Sequence, residues 1–183
     1  MDRNRGLILV IAMTMVLLGN AQAQERSIGT SWSFSGVGLT YEHPMKHGNF
    51  LHVGAQAEMS EMFLGRTTKA GGSVSFTFNE VLRRVTSRNG NSIFIFAGAG
   101  AAIGYSKDCR LHRAQPTYHG YFFGLKGRAG VRIEYDRKVN ITAAVAPVLG
   151  MHLSMKDETL MMRYYRYGLL QTLMPELTIG FRF

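Results

Sequence analysis

The sequence places His152, Leu153 and Ser154 in a row, the arrangement in this chain that comes nearest to nucleophilic catalysis. Residues two apart on a strand share a face, so the imidazole could take a proton from the hydroxyl while a carboxylate orients the ring. Glu158 follows too closely to reach back, which leaves Glu176 as the acid. His152 and Ser154 also share parity with a run of charged positions that must avoid lipid. A polar strand end at a rim therefore accounts for them better than a hydrolase does. Metal chemistry has less support. His43, His47 and His52 lack the two-residue spacing of ligands on a strand, and His112, His119 and Cys109 could gather zinc only after their loop folded. Cys109 is the single cysteine, so no internal disulfide forms. No glycine-rich phosphate loop leads from a strand into a helix. The expectation is a chain with no catalytic residue, metal or cofactor.

Charge patterning is more informative. From residue 123 to 135, Phe123, Leu125, Gly127, Ala129, Val131, Ile133 and Tyr135 alternate with Gly124, Lys126, Arg128, Gly130, Arg132 and Glu134. Four charges thus share one strand face. On the lipid side of a membrane barrel each would cost roughly 2–4 kcal/mol near the midplane, so in such a barrel they must point inward. With Gln56, Glu58 and Glu176 they are the candidate lumen network, whose charges must be paired or hydrated. The role predicted for that network is structural.

These residues need strands to carry them. Alternation recurs over residues 50–58, with Leu51, Val53, Ala55 and Ala57 opposite His52, Gly54, Gln56 and Glu58, and again over residues 72–80. Residues 92–105 begin with two apolar faces, Ile93 and Ile95 against Phe94 and Phe96, and continue in Gly and Ala, small enough to leave room in a narrow barrel. Pro147 interrupts a strand over residues 139–150 and requires a bulge or an unpaired position. No segment after residue 23 keeps a helical period.

Residues 173–183 alternate to the last position, with Leu177, Ile179, Phe181 and Phe183 on one apolar face. This resembles the closing strand of bacterial outer-membrane β-barrels, and the resemblance implies that Phe181 and Phe183 form the signal read by the barrel-assembly machinery. At the other end, Arg3 and Arg5 precede an apolar run over residues 7–18 and small residues up to Ala23, the pattern of a cleavable signal peptide. That run is too short to span a bilayer as a helix, which takes about 20 residues. The predicted organisation is a signal peptide at 1–23 and one barrel domain at 24–183. Cleavage removes two arginines and one aspartate and leaves a mature charge of +8, compatible with lipopolysaccharide phosphates or another anionic surface.

The predicted fold is all-β, an antiparallel up-and-down transmembrane barrel of about eight strands whose interior is filled by side chains. Alternating short inner turns and longer outer loops places residues 43–48, 82–91 and 136–138 inside and 60–70, 106–118 and 154–169 outside. The first strand is expected within about residues 25–35, where the phase of alternation changes near Gly36.

The whole mature chain resembles the small outer-membrane class typified by OmpA transmembrane domains and OmpX. Residues 71–76, 96–105, 121–124 and 178–183, rich in glycine and aromatics, are also similar to TraO-like proteins of conjugative transfer systems in Bacteroidetes. That resemblance implies an outer-membrane component of a DNA-transfer apparatus, with no direct contact to nucleic acid. The His-x-Ser pair is similar to that of outer-membrane lipid A deacylases, but Met155 stands where those enzymes carry Asn. A lipid A-modifying hydrolase is one alternative reading. The other is a soluble periplasmic β-sandwich that binds a partner, with its charged strand face in water. In the barrel reading the partners are outer-membrane lipid and lipopolysaccharide, the assembly machinery and proteins met through the outer loops. Lys107, Arg110 and Arg113 in one loop, and Arg163, Tyr165 and Arg166 in the other, are the candidate contact residues. The arginines and tyrosines of the second loop equally suit an aromatic and basic girdle at lipid headgroups.

Overall fold

A computed structural model describes residues 26–59, 62, 68–87, 91–109, 118–135, 138–156 and 159–183. The predicted signal peptide at 1–23 lies outside them. Among the described residues no helix is long and apolar enough to cross a membrane, a statement that does not bear on strands.

Ten strand segments build one closed antiparallel barrel of eight staves. They are β1 (Ser27–Ser33), β2 (Gly36–Pro44), β3 (Phe50–Glu58), β4 (Gly71–Thr86), β5 (Ser92–Lys107), β6 (His119–Tyr135), β7 (Val139–Val145), β8 (Val148–Lys156), β9 (Thr159–Tyr164) and β10 (Glu176–Arg182). β7 and β8 form one stave, β9 and β10 another, and β1 pairs with β10 to close the wall. Following paired residues from Ser92 through Glu134, Asn140, Gly180, Gly29, Thr40, Gly54 and Ser75 returns to β5 at Ala102, a stagger of ten residues. At roughly 3.3 Å per residue and 4.8 Å between strands, that stagger over eight staves tilts them by about 41°.

Polarity is inverted relative to a water-soluble domain. Ser31, Thr40, Glu42, His52, Thr77, Asn79, Arg128, Arg132, Asn140 and Thr142 are buried, whereas Leu39, Phe76, Phe78, Ile103, Phe123, Leu125, Leu149, Leu177 and Phe181 are exposed. The alternation in the sequence thus sorts polar side chains into the lumen and apolar ones onto the outer wall. Over residues 92–105 the two apolar faces separate, with Ile93 and Ile95 outside and Phe94 and Phe96 inside.

Several boundaries differ from expectation. The phase change at Gly36 is a tight hairpin between β1 and β2, and a Cβ on Gly36 would lie 1.7 Å from the Ala57 carbonyl oxygen. The first half of the expected inner turn at 82–91 is strand: β4 continues to Thr86 and β5 begins at Ser92, with a register shift between Val81 and Arg83. That bulge turns Leu82 and Val85 outward together and hides the strand from a two-residue period. At Pro147 the stave keeps its register, because Lys126 faces Val148 and Ala129 faces Val145. Gly127 donates to the Pro147 carbonyl at 2.9 Å, and the return bond is missing because proline has no donor.

The largest departure is at 154–169, expected to be an outer loop. β8 runs to Lys156 and β9 returns to Tyr164, after which the chain turns inward as helix α1 (Arg166–Leu170) and a 3-10 turn (Gln171–Leu173). Continuing the β8–β9 register would set residue 171 opposite Ala144, but Glu176 stands there. Five extra residues are therefore folded into this stave.

Candidate functional site: the closed lumen

The lumen is filled in three layers. Towards the β10 terminus, Glu42 on β2 is the central acid. Arg132 Nη2 contacts Glu42 Oε1, His52 Nδ1 lies 3.1 Å from the same oxygen, and Ser27 donates to Oε2 at 3.0 Å. Arg132 Nε donates to Thr142 at 2.9 Å, and its guanidinium lies 4.2 Å from the Phe50 ring centre. Arg128, fully buried, donates to Glu176 Oε1 at 3.1 Å and lies over Phe96. Glu134 accepts from Arg84 at 3.0 Å and pairs with Arg182. Each of these five buried charges, Glu42, Arg128, Arg132, Glu134 and Glu176, thus meets an opposite charge, the condition for tolerating it away from water.

Above this layer, Gln56 donates to Ser33 at 2.8 Å and Ser35 at 2.7 Å, Ser73 donates to Glu58 at 2.7 Å, and Lys126 donates to Ser75 at 3.0 Å. They surround a cavity of about 30 Å³, enough for one or two waters. Glu58 Oε2 is buried and has no hydrogen-bond partner among the described residues.

The third layer is the inward-folded segment. Tyr165 stacks on Phe122 with ring centres 4.2 Å apart, and Tyr165 and Tyr167 join Ala102, Cys109 and Val148 in an apolar cluster. Asp108 moors the segment, accepting from the Tyr167 amide at 2.9 Å and the Arg166 amide at 3.3 Å. The same carboxylate accepts from the Cys109 amide at 2.9 Å.

The structure brings Gln56, Glu58, Lys126, Arg128, Arg132 and Glu134 to one inner wall, as their parity suggests, but not into one contact set. Glu42, His52, Arg84 and Arg182 complete the pairs. Glu42 sits in Tyr-Glu-His-Pro, which reads as turn chemistry, and its partner Arg132 is 90 residues away, a pairing no local signal contains. His152, Ser154 and Glu176 form no relay. His152 Nε2 is 2.9 Å from the Ser106 carbonyl, and Glu176 is held by Arg128. Glu176 lies opposite Ala144, eight residues down the stave from His152, or roughly 26 Å.

The contact residue Tyr165 requires correction, since it is 1% exposed. Its ring points into the lumen because the five-residue insertion carries the chain inward. Lys107 and Arg163 end up on β5 and β9, and the Arg166 amide binds Asp108. Arg110 and Arg113 lie outside the described residues. Phe181 and Phe183 are both exposed on the apolar wall. Among the described residues no group of three metal-ligating side chains gathers.

No family model matches the chain. No curated protein matches it either. Among solved structures it is similar to the N-terminal β-barrel domain of Pseudomonas aeruginosa OprF, with a TM-score of 0.50 and 11% identity over 87% of this chain and 96% of that one. A second, looser likeness is to Ail, the attachment invasion locus protein of Yersinia pestis, with a TM-score of 0.37 and 15% identity over 87% and 97% of the two chains. The first likeness supports the eight-stranded barrel. Neither supports the resemblance to TraO-like proteins.

Proposed function

We propose that this protein resides in the bacterial outer membrane as a closed, non-enzymatic barrel whose work is done at its outer rim. Inverted polarity carries the reading. On β6 the outward column from Phe123 to Ile133 spans ten residue steps, which at the tilt above is about 25 Å along the barrel axis, the height of the apolar band in outer-membrane barrels. Tyr121 and Tyr135, both exposed, flank this column as girdle residues. A soluble sandwich would place the same exposed Phe76, Ile103, Leu125 and Leu149 in water.

Paired charges at one level and stacked aromatics at another fill the lumen, so the barrel serves as an anchor and not as a pore. A role in conjugative transfer rests on sequence motifs alone. Fractionation of cells expressing the chain, followed by electrophoresis of the membrane fraction with and without boiling, tests the reading. The expected result is outer-membrane recovery with migration that changes on boiling. A product recovered as soluble protein without detergent would overturn it.

A further inference from the structure

The outward columns of β5 and β6 run side by side in register: Ile103 faces Phe123, Tyr105 faces Tyr121, and Lys107 faces His119. Each column passes from an apolar residue to a tyrosine to a cationic or ionisable residue. Tyr105 and Tyr121 are exposed and touch edge to face with ring centres 5.1 Å apart. His119 stacks on Tyr105 with ring centres 5.8 Å apart, which holds its imidazole on the outer wall. Gly72 on β4 pairs with Tyr105, so Lys69, exposed and three residues earlier, lies at the same rim as Lys107, and the charges of both bear on His119. Two neighbouring strands and the residues leading into a third therefore gather basic groups at the height where the apolar band ends.

We infer that Lys69, Lys107 and His119, seated on the Tyr105–Tyr121 pair, form a site for the phosphate of an anionic lipid headgroup in the outer leaflet. The inference rests on the membrane reading above. Tyrosine rings fit the boundary between hydrocarbon and headgroup, and basic side chains just beyond them meet phosphate with their stems still in the apolar layer. The ligand is a phosphorylated lipid because the columns that carry these groups are continuous with the lipid-facing wall.

The test compares wild type with Lys107→Glu/His119→Glu in vesicles of phosphatidylcholine, alone or with increasing bisphosphorylated lipid A, reading the temperature at which the compact gel band is lost. Lipid A is expected to raise that temperature for wild type. The double variant should need at least about 25-fold more lipid A for the same rise, since each of the two basic groups near an anionic surface contributes about a factor of five. Lys46→Glu, at the opposite rim, should respond like wild type. Equal unfolding temperatures of both proteins in pure phosphatidylcholine would show that the variant folds; should it not fold, Lys69→Glu replaces it in the same titration. Equal lipid A responses would overturn the site, as would stabilisation by free inorganic phosphate at matching concentration. Wild type that enters neither kind of vesicle would overturn the membrane reading and the site with it. Insertion with equal responses would overturn the site alone.

Discussion

Glu42 is the residue on which the lower lumen depends, since Arg132, His52 and Ser27 all converge on it. Removing one member of a buried pair leaves an uncompensated charge, so Glu42→Ala should destabilise the folded barrel by about 3–5 kcal/mol. The matched replacement Glu42→Leu/Arg132→Met should recover most of that loss, because it removes both charges and keeps their volume. Urea titration of protein inserted in vesicles, read by the compact gel band, gives both values. A double variant no more stable than Glu42→Ala would show that the pair is not the reason. Only part of this site was legible in the sequence. Two-residue periodicity placed Lys126, Arg128, Arg132 and Glu134 on one face, but their partners depend on the stagger between distant strands. Asp108 gave no signal at all, because its function is to cap a helix that no periodic pattern predicts.

The most consequential element is the segment from Tyr165 to the start of β10, which leaves the wall and fills the lumen under the control of Asp108. Asp108→Ala removes the acceptor for two amides at the head of α1 and should release the segment. Cys109, 5% exposed and packed in the same cluster, reports on this. Folded wild type should resist a bulky maleimide over a time in which Asp108→Ala is labelled, and labelling at equal rates would mean the carboxylate is not the mooring. The strands themselves were well foreshadowed wherever alternation was clean, as in β3, β6 and β10. Boundaries were missed where the period breaks, at the bulge near Leu82 and at the five-residue insertion. Both defects change which neighbour a residue meets without changing its local composition.

For the molecule as a whole, the sorting of side chains between wall and lumen predicts opposite tolerances at adjacent positions. Ala129, outward and near the middle of the apolar band, should cost about 2–4 kcal/mol when replaced by Arg, whereas its neighbour Arg128 is already charged and inside. The cost should be seen in vesicles as a lower urea midpoint and a reduced folded fraction. No loss would mean that this face is not in lipid. Closed layers across the lumen likewise predict that purified wild type in a planar bilayer conducts far less than an open porin. Steady porin-sized currents would contradict the packing of Phe122 on Tyr165 and of Arg128 on Glu176.

The seam between β1 and β10 has a kinetic meaning. Six pairs, from Ser27 with Arg182 to Trp32 with Leu177, join strands at opposite ends of the barrel sequence, and Arg26 and Phe183 extend the seam with reciprocal backbone bonds of 3.2 and 3.0 Å. A contact so distant in sequence forms slowly, since its loop-closure entropy is met before any stabilisation returns. A sheet still open at that seam would leave Glu42, Arg128 and Arg132 hydrated. Closure would then dehydrate them together and set the interior charges against each other. A chain truncated before β10 should consequently accumulate as an unclosed sheet with its basic residues still open to solvent, ready to be recognised as unfinished.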